Sequence, residues 1–106
     1  MRWLLNSAVI TAEGTWHYRL LTEEQAVVWL REHAATATSR IGYPATADHI
    51  AALCGVRPAV SREASVLAVG DEALVVRLPY RVPDPAQKAT HAPQAWEYGL
   101  LTRRDM

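Results

Sequence analysis

Ala73-Leu74-Val75-Val76-Arg77-Leu78 is nearly all apolar and β-prone, and reads as a strand. Trp3 to Ile10, broken only by Asn6 and Ser7, is a second short apolar run and reads as a buried strand. Around these two, the rest of the chain falls into place. Thr15 to Leu20 alternates aromatic and polar residues, as a half-buried strand or strand-like arm does. Ser65 to Val69 is a further strand by composition, Gly70-Asp71-Glu72 a tight turn, and Trp96 to Thr102 a closing strand. Thr22 is a good N-cap: Glu23 and Glu24 complement the helix dipole in the first turn, and Gln25 stands at the capping-box position. That helix carries Val27, Val28, Trp29 and Leu30 on its apolar face and runs to about Ala35; Ala34 to Ser39 shows no strong pattern. A second helix starts near Pro44 to Thr46, uses Ile50 and Leu53 as its stripe, and ends at Gly55. The order predicts an α/β fold, a mixed β-sheet with helices packed on it, in one small domain spanning residues 1–106.

Charge narrows the functions. Eleven basic residues balance eleven acidic ones, which argues against a protein that coats DNA or other nucleic acid by bulk charge. The basic residues are ten arginines and Lys88, so a small anion held by a few placed guanidiniums is compatible with zero net charge. No apolar run approaches the ~18–20 residues of a membrane span. The single cysteine, Cys54, fits a reducing compartment, and the expected location is cytoplasmic.

No metal or cofactor is expected. His17, His33, His49 and His91 show no i, i+4 pair and no zinc-like spacing with Cys54, and Asp48-His49 reads as a surface pair. There is no GxxxxGK[ST] loop and no GxSxG elbow. Two segments suggest anion binding. Ser39-Arg40-Ile41-Gly42-Tyr43-Pro44-Ala45-Thr46 sets a glycine and a short turn ahead of a helix N-terminus, where backbone N–H groups and the dipole suit phosphate and where Arg40 and Thr46 add donors. In Arg77-Leu78-Pro79-Tyr80-Arg81-Val82-Pro83-Asp84, two arginines flank a strand end and Tyr80 offers a ring to stack on a base. A plain helix-start turn and a solvated loop are the respective alternatives.

Several stretches occur in an order that resembles the small viral family of type III anti-CRISPR ring nucleases. They are Leu4-Leu5-Asn6-Ser7-Ala8-Val9, then Ile41-Gly42-x-x-Ala45-Thr46-Ala47, then Ala51-Ala52-Leu53-Cys54-Gly55-Val56 and Val60-Ser61-Arg62. Gly70-Asp71-x-Ala73-Leu74-Val75-Val76-Arg77-Leu78-x-x-Arg81-Val82-Pro83 and Glu97-Tyr98-Gly99-Leu100-Leu101-Thr102-Arg103 complete the set, which covers nearly the full length. The resemblance implies a symmetric homodimer that binds cyclic tetra-adenylate across its axis, since each subunit can offer identical donors to half the ring. It also implies a lid, for which Pro79 to Pro93 and the arm near Glu13 to His17 are candidates.

What the resemblance implies about chemistry turns on one departure. In that family a ribose 2′-hydroxyl attacks the adjacent phosphorus without metal, and a histidine after the Ile-Gly pair protonates the departing 5′-oxygen. Here that position is Tyr43. A phenol of pKa ~10 is a poor proton donor where an imidazole of ~6.5 is a good one. Arg81 matches the arginine that positions the scissile phosphate, Asp84 stands where the family often has Glu, and Asn6 and Ser7 match pocket-lining polar residues. His49, about 9 Å further along the helix axis, is a poor substitute acid. The expected function is therefore capture of a cyclic nucleotide messenger, as a viral anti-defence protein in an infected prokaryotic host. The alternatives are an active ring nuclease, with Tyr43, Arg81 and Asp84 as its catalytic set, and a structural or scaffold protein. A different cyclic nucleotide or an ADP-ribose derivative remains an alternative ligand.

Overall fold

The computed structural model describes residues 1–10, 12–77 and 96–105. They form an α/β fold of five strands and two helices, in the order β1 (Arg2–Leu5), β2 (Thr15–Leu21), α1 (Glu23–His33), β3 (Thr38–Arg40), α2 (Pro44–Cys54), β4 (Glu72–Arg77) and β5 (Glu97–Asp105). The strands make one mixed sheet in the order β2-β5-β4-β1-β3. β1 runs parallel to both β3 and β4, whereas β5 runs antiparallel to β4 and β2.

Local chemistry sets the helix ends. The Gln25 amide N–H donates to Thr22 Oγ1 and the Thr22 N–H to Gln25 Oε1, closing the capping box, with Glu23 and Glu24 in the first turn. Pro44 opens α2, and Gly55 closes it at φ 81°, a conformation that L side chains rarely adopt.

Alternation along β1 and β4 divides the core in two. Leu4, Leu74 and Val76 face Ala26, Trp29 and Leu30 of α1 and Ala47 and Ile50 of α2. Trp3, Leu5, Ala73 and Val75 face the other way, under Leu67. Both helices thus pack on one side of the sheet, and a coil supplies the cover on the other. A strand with both faces covered needs an unbroken apolar run, which is why Val75 and Val76 are both fully buried.

Three expected elements differ. The first strand stops at Leu5, and Val9 and Ile10 stand exposed beyond it. Residues 65–69 form no strand: only Leu67 is buried there, while Val66 and Val69 point to solvent. Thr38–Arg40 is a strand that its polar sequence conceals. The arm near Glu13 to His17 is also not a loose lid over the strand end that carries Asn6. Residues 15–17 open β2 and pair with Asp105, Arg103 and Thr102, beside the end of β4 at which Glu72 pairs with Arg2. The segment Pro79 to Pro93 lies outside the described residues.

Asp71, 6% exposed, ties the start of the chain to the coil over Leu67. Its carboxylate accepts from the Met1 amino group at 2.9 Å, the Trp3 indole at 3.2 Å and the Ala68 N–H at 2.9 Å. Burial raises its pKa, but these hydrogen bonds together outweigh it and hold the carboxyl below its usual value.

Candidate functional site

A cleft of about 320 Å³ opens where β1 and β3 end. Leu5, Asn6 and Ser7 come from the end of β1, Arg40 from the last position of β3, Gly42 and Tyr43 from the turn into α2, and residues 61–65 from the coil beyond it. The carboxyl ends of parallel strands are where open α/β sheets place their ligands.

The floor is tightly tied. The Gly42 N–H donates to Asn6 Oδ1 at 2.8 Å, so this amide of the turn already has an acceptor, and a phosphate would reach it by displacing the Asn6 side chain. The Gly42 carbonyl accepts from Arg62 Nε at 3.0 Å. That hydrogen bond lays the Arg62 guanidinium over the Tyr43 ring, 5.2 Å from its centroid. A short parallel bridge between Ile41 and Val60, with the Ser61 N–H donating to the Ile41 carbonyl at 2.9 Å, brings the Arg62 segment to this place. Tyr43 is the N-cap residue of α2 in an extended conformation, which points the chain from β3 into the helix. The second guanidinium is Arg40. It lies over the Trp3 ring, with Nη1 donating to the Ser39 carbonyl at 2.9 Å and Nη2 3.5 Å from the Glu63 carboxylate.

The structure therefore brings together Asn6, Ser7, Arg40, Gly42 and Tyr43, five of the residues singled out from sequence. Thr46 does not line the cleft. It is fully buried in the first turn of α2, with no hydrogen-bond partner for Oγ1 among the described residues. Arg77 stands at the end of β4 and is paired with Glu97 at 2.8 Å, outside the cleft lining. Tyr80, Arg81 and Asp84 lie outside the described residues. Arg62 was not among the sequence candidates. Its signal was its place in Val60-Ser61-Arg62, a stretch matched by order but without a polar cluster to mark it as a site.

His49 is engaged elsewhere. It stacks on Trp96 with ring centroids 4.3 Å apart, and Nε2 lies 2.7 Å from the Tyr98 hydroxyl, which in turn donates to Glu23. Burial pushes its pKa down, and Glu23 opposes this only in part. Asp48 pairs with Arg57 at 2.8 Å. Among the described residues no helix is long and apolar enough to cross a membrane.

The family model described as STIV B116-like matches residues 2–95, and the chain belongs to that family. Among solved structures, it is similar to B116 of Sulfolobus turreted icosahedral virus. The TM-score is 0.72 at 21% identity, over 96% of this chain and 98% of that one. No curated protein matches the sequence.

Proposed function

We propose that the protein captures a cyclic nucleotide second messenger of bacterial antiviral signalling, cyclic tetra-adenylate by preference, in a pocket shared by two copies of the chain. The observation that carries this reading is the cleft itself. Two guanidiniums, the Asn6 amide and hydroxyl groups converge at the strand ends, and a tyrosine stands where the resemblance implies the catalytic acid. Its volume, about 320 Å³, lies at the small end of the ~300–1,000 Å³ of ligand pockets. One cleft suits part of a cyclic tetranucleotide, and two clefts about a dyad suit the whole. A viral, anti-defence role in the cytoplasm of an infected prokaryote is part of the same proposal. The similarity to a viral protein supports it.

The direct test is to incubate the purified protein with a panel of cyclic nucleotides, heat-denature it and chromatograph the supernatant. Intact release is the expected result, and linear products would make the protein a nuclease. Light scattering should report a homodimer at micromolar concentration; a monomer with and without ligand would remove the shared pocket. Hydrogen bonds to charged groups are worth ~1.5–3 kcal/mol, and a dimer uses each residue twice. Arg62→Ala should therefore weaken binding of cyclic tetra-adenylate at least tenfold, measured by calorimetry, and Arg81→Ala is expected to do the same.

A further inference from the structure

The two arginines of the cleft are held in different ways. Arg40 has a fixed seat. Its guanidinium lies over the Trp3 ring, 5.3 Å from the centroid, Nη1 donates to the Ser39 carbonyl at 2.9 Å and Nε reaches the Ala64 carbonyl at 3.4 Å. The ring beneath it is itself anchored, because Trp3 is 6% exposed and its indole N–H donates to Asp71. The remaining partner is of another kind. Glu63 reaches Nη2 at 3.5 Å with a side chain that is 78% exposed. An exposed ion pair of that length shifts an equilibrium by at most about fivefold. Carbonyls and ring therefore hold the guanidinium in place whether or not Glu63 is there.

We infer that Glu63 is a built-in counter-ion of this cleft: it covers Arg40 while the cleft is empty and gives way to a phosphate that takes its place. The inference rests on the reading of the cleft as an anion site. Its physical basis is competition. A tethered carboxylate competes at an effective concentration of roughly millimolar. A single-charged ligand that meets only Arg40 must displace it and gains little. A ligand whose phosphates reach both Arg40 and Arg62 is held at two points and overcomes it. When displaced, the Glu63 carboxylate has solvent to return to, so its release leaves no buried charge unpaired. Glu63 thus lowers by one common factor the affinity of every anion that must displace it, and an anion held at both guanidiniums has affinity to spare.

Inorganic pyrophosphate is a suitable probe, titrated calorimetrically into wild type, Glu63→Gln, Arg40→Gln and the double variant. Glu24→Gln, an exposed carboxylate on α1 outside the cleft, serves as control. Glu63→Gln should bind pyrophosphate about twofold to fivefold more tightly than wild type, the factor by which the exposed ion pair with Arg40 had held the site closed. Its affinity should also fall more steeply with salt, since the site then carries more net positive charge. Glu24→Gln should match wild type, and the double variant should bind no better than Arg40→Gln alone. Equal or weaker binding by Glu63→Gln overturns the inference, as does a gain that persists without Arg40, or an absence of pyrophosphate binding in every variant. The two readings separate cleanly. If the pyrophosphate pattern holds while wild type fails to bind cyclic tetra-adenylate, the messenger reading falls and the counter-ion stands. If wild type binds cyclic tetra-adenylate and Glu63→Gln changes nothing, only the counter-ion falls.

Discussion

Tyr43→His should turn the protein into a metal-independent nuclease for cyclic tetra-adenylate, with a rate ~10²–10⁴ times that of wild type. That is the range general acid–base catalysis supplies. The substitution places an imidazole at the N-cap of α2, a position that Pro44 and the Ile41–Val60 bridge fix from either side. The attacking group in this chemistry is the ligand's own 2′-hydroxyl, so cleavage should survive EDTA. A general acid must be protonated to act, and the rate should therefore decline as pH rises through the pKa of the new histidine, ~6.5 for an unperturbed imidazole. Tyr43→Phe should cost binding only, by the ~0.5–1.5 kcal/mol of one net hydrogen bond. If wild type already cleaves quickly and Tyr43→Phe abolishes turnover without loss of affinity, the tyrosine is itself catalytic and sequestration is the wrong reading.

Asp71→Ala should be the most damaging single change to a polar side chain, at about 2–4 kcal/mol of stability. It would leave the buried Trp3 indole and the part-buried Ala68 N–H without their acceptor, and a buried donor left unpaired costs ~1–3 kcal/mol. Leu67, carried by the same coil, would lose the tie that presses it onto Trp3, Leu5 and Val75. The wild-type carboxyl has a pKa below its unfolded value, so in acid the unfolded chain binds the extra proton. The contribution of Asp71 is therefore complete above the ordinary carboxylate range of ~4 and is lost as pH falls through the depressed native value. Thermal melts between about pH 6 and pH 2 should show wild type losing its advantage over Asp71→Ala at the acid end. A constant gap between the two would show that the carboxylate is not held by these donors.

Much of this molecule can be read from its residues because the relevant signals are local. Thr22, Glu23, Glu24 and Gln25 announce α1 by side chain–backbone hydrogen bonds that need no tertiary partner, and Pro44 and Gly55 bracket α2 through their own backbone preferences. The apolar run ending at Arg77 is a strand because both of its faces are covered. The misreadings share a physical cause as well. Thr38-Ser39-Arg40 has no hydrophobic periodicity, since as a short edge strand it is defined by pairing with β1 rather than by burial. Residues 65–69 carry β-prone side chains, but only Leu67 enters the core, and composition cannot distinguish a strand from a coil that plants one anchor. At the site, the residues on the turn into α2 were legible because a glycine before a helix start is a local pattern. Arg62 was not, because it reaches the cleft only through the Ile41–Val60 bridge, a contact between distant segments.

The strand order has a consequence for how the chain reaches this state. β1 is made first, yet both of its neighbours lie later in the sequence, and among the described residues β2 pairs only with β5, Thr15 against Asp105. Among the described residues only the β4–β5 pairing joins strands that follow each other in the sequence; β1 with β3, β1 with β4 and β2 with β5 all join separated segments. Domains dominated by such distant pairings pay loop-closure entropy before they are rewarded for it and fold in milliseconds to seconds rather than microseconds. Refolding should accordingly be slow for so short a chain. On the ribosome β2 should stay without its partner until β5 has emerged, an open edge able to pair with any extended segment nearby.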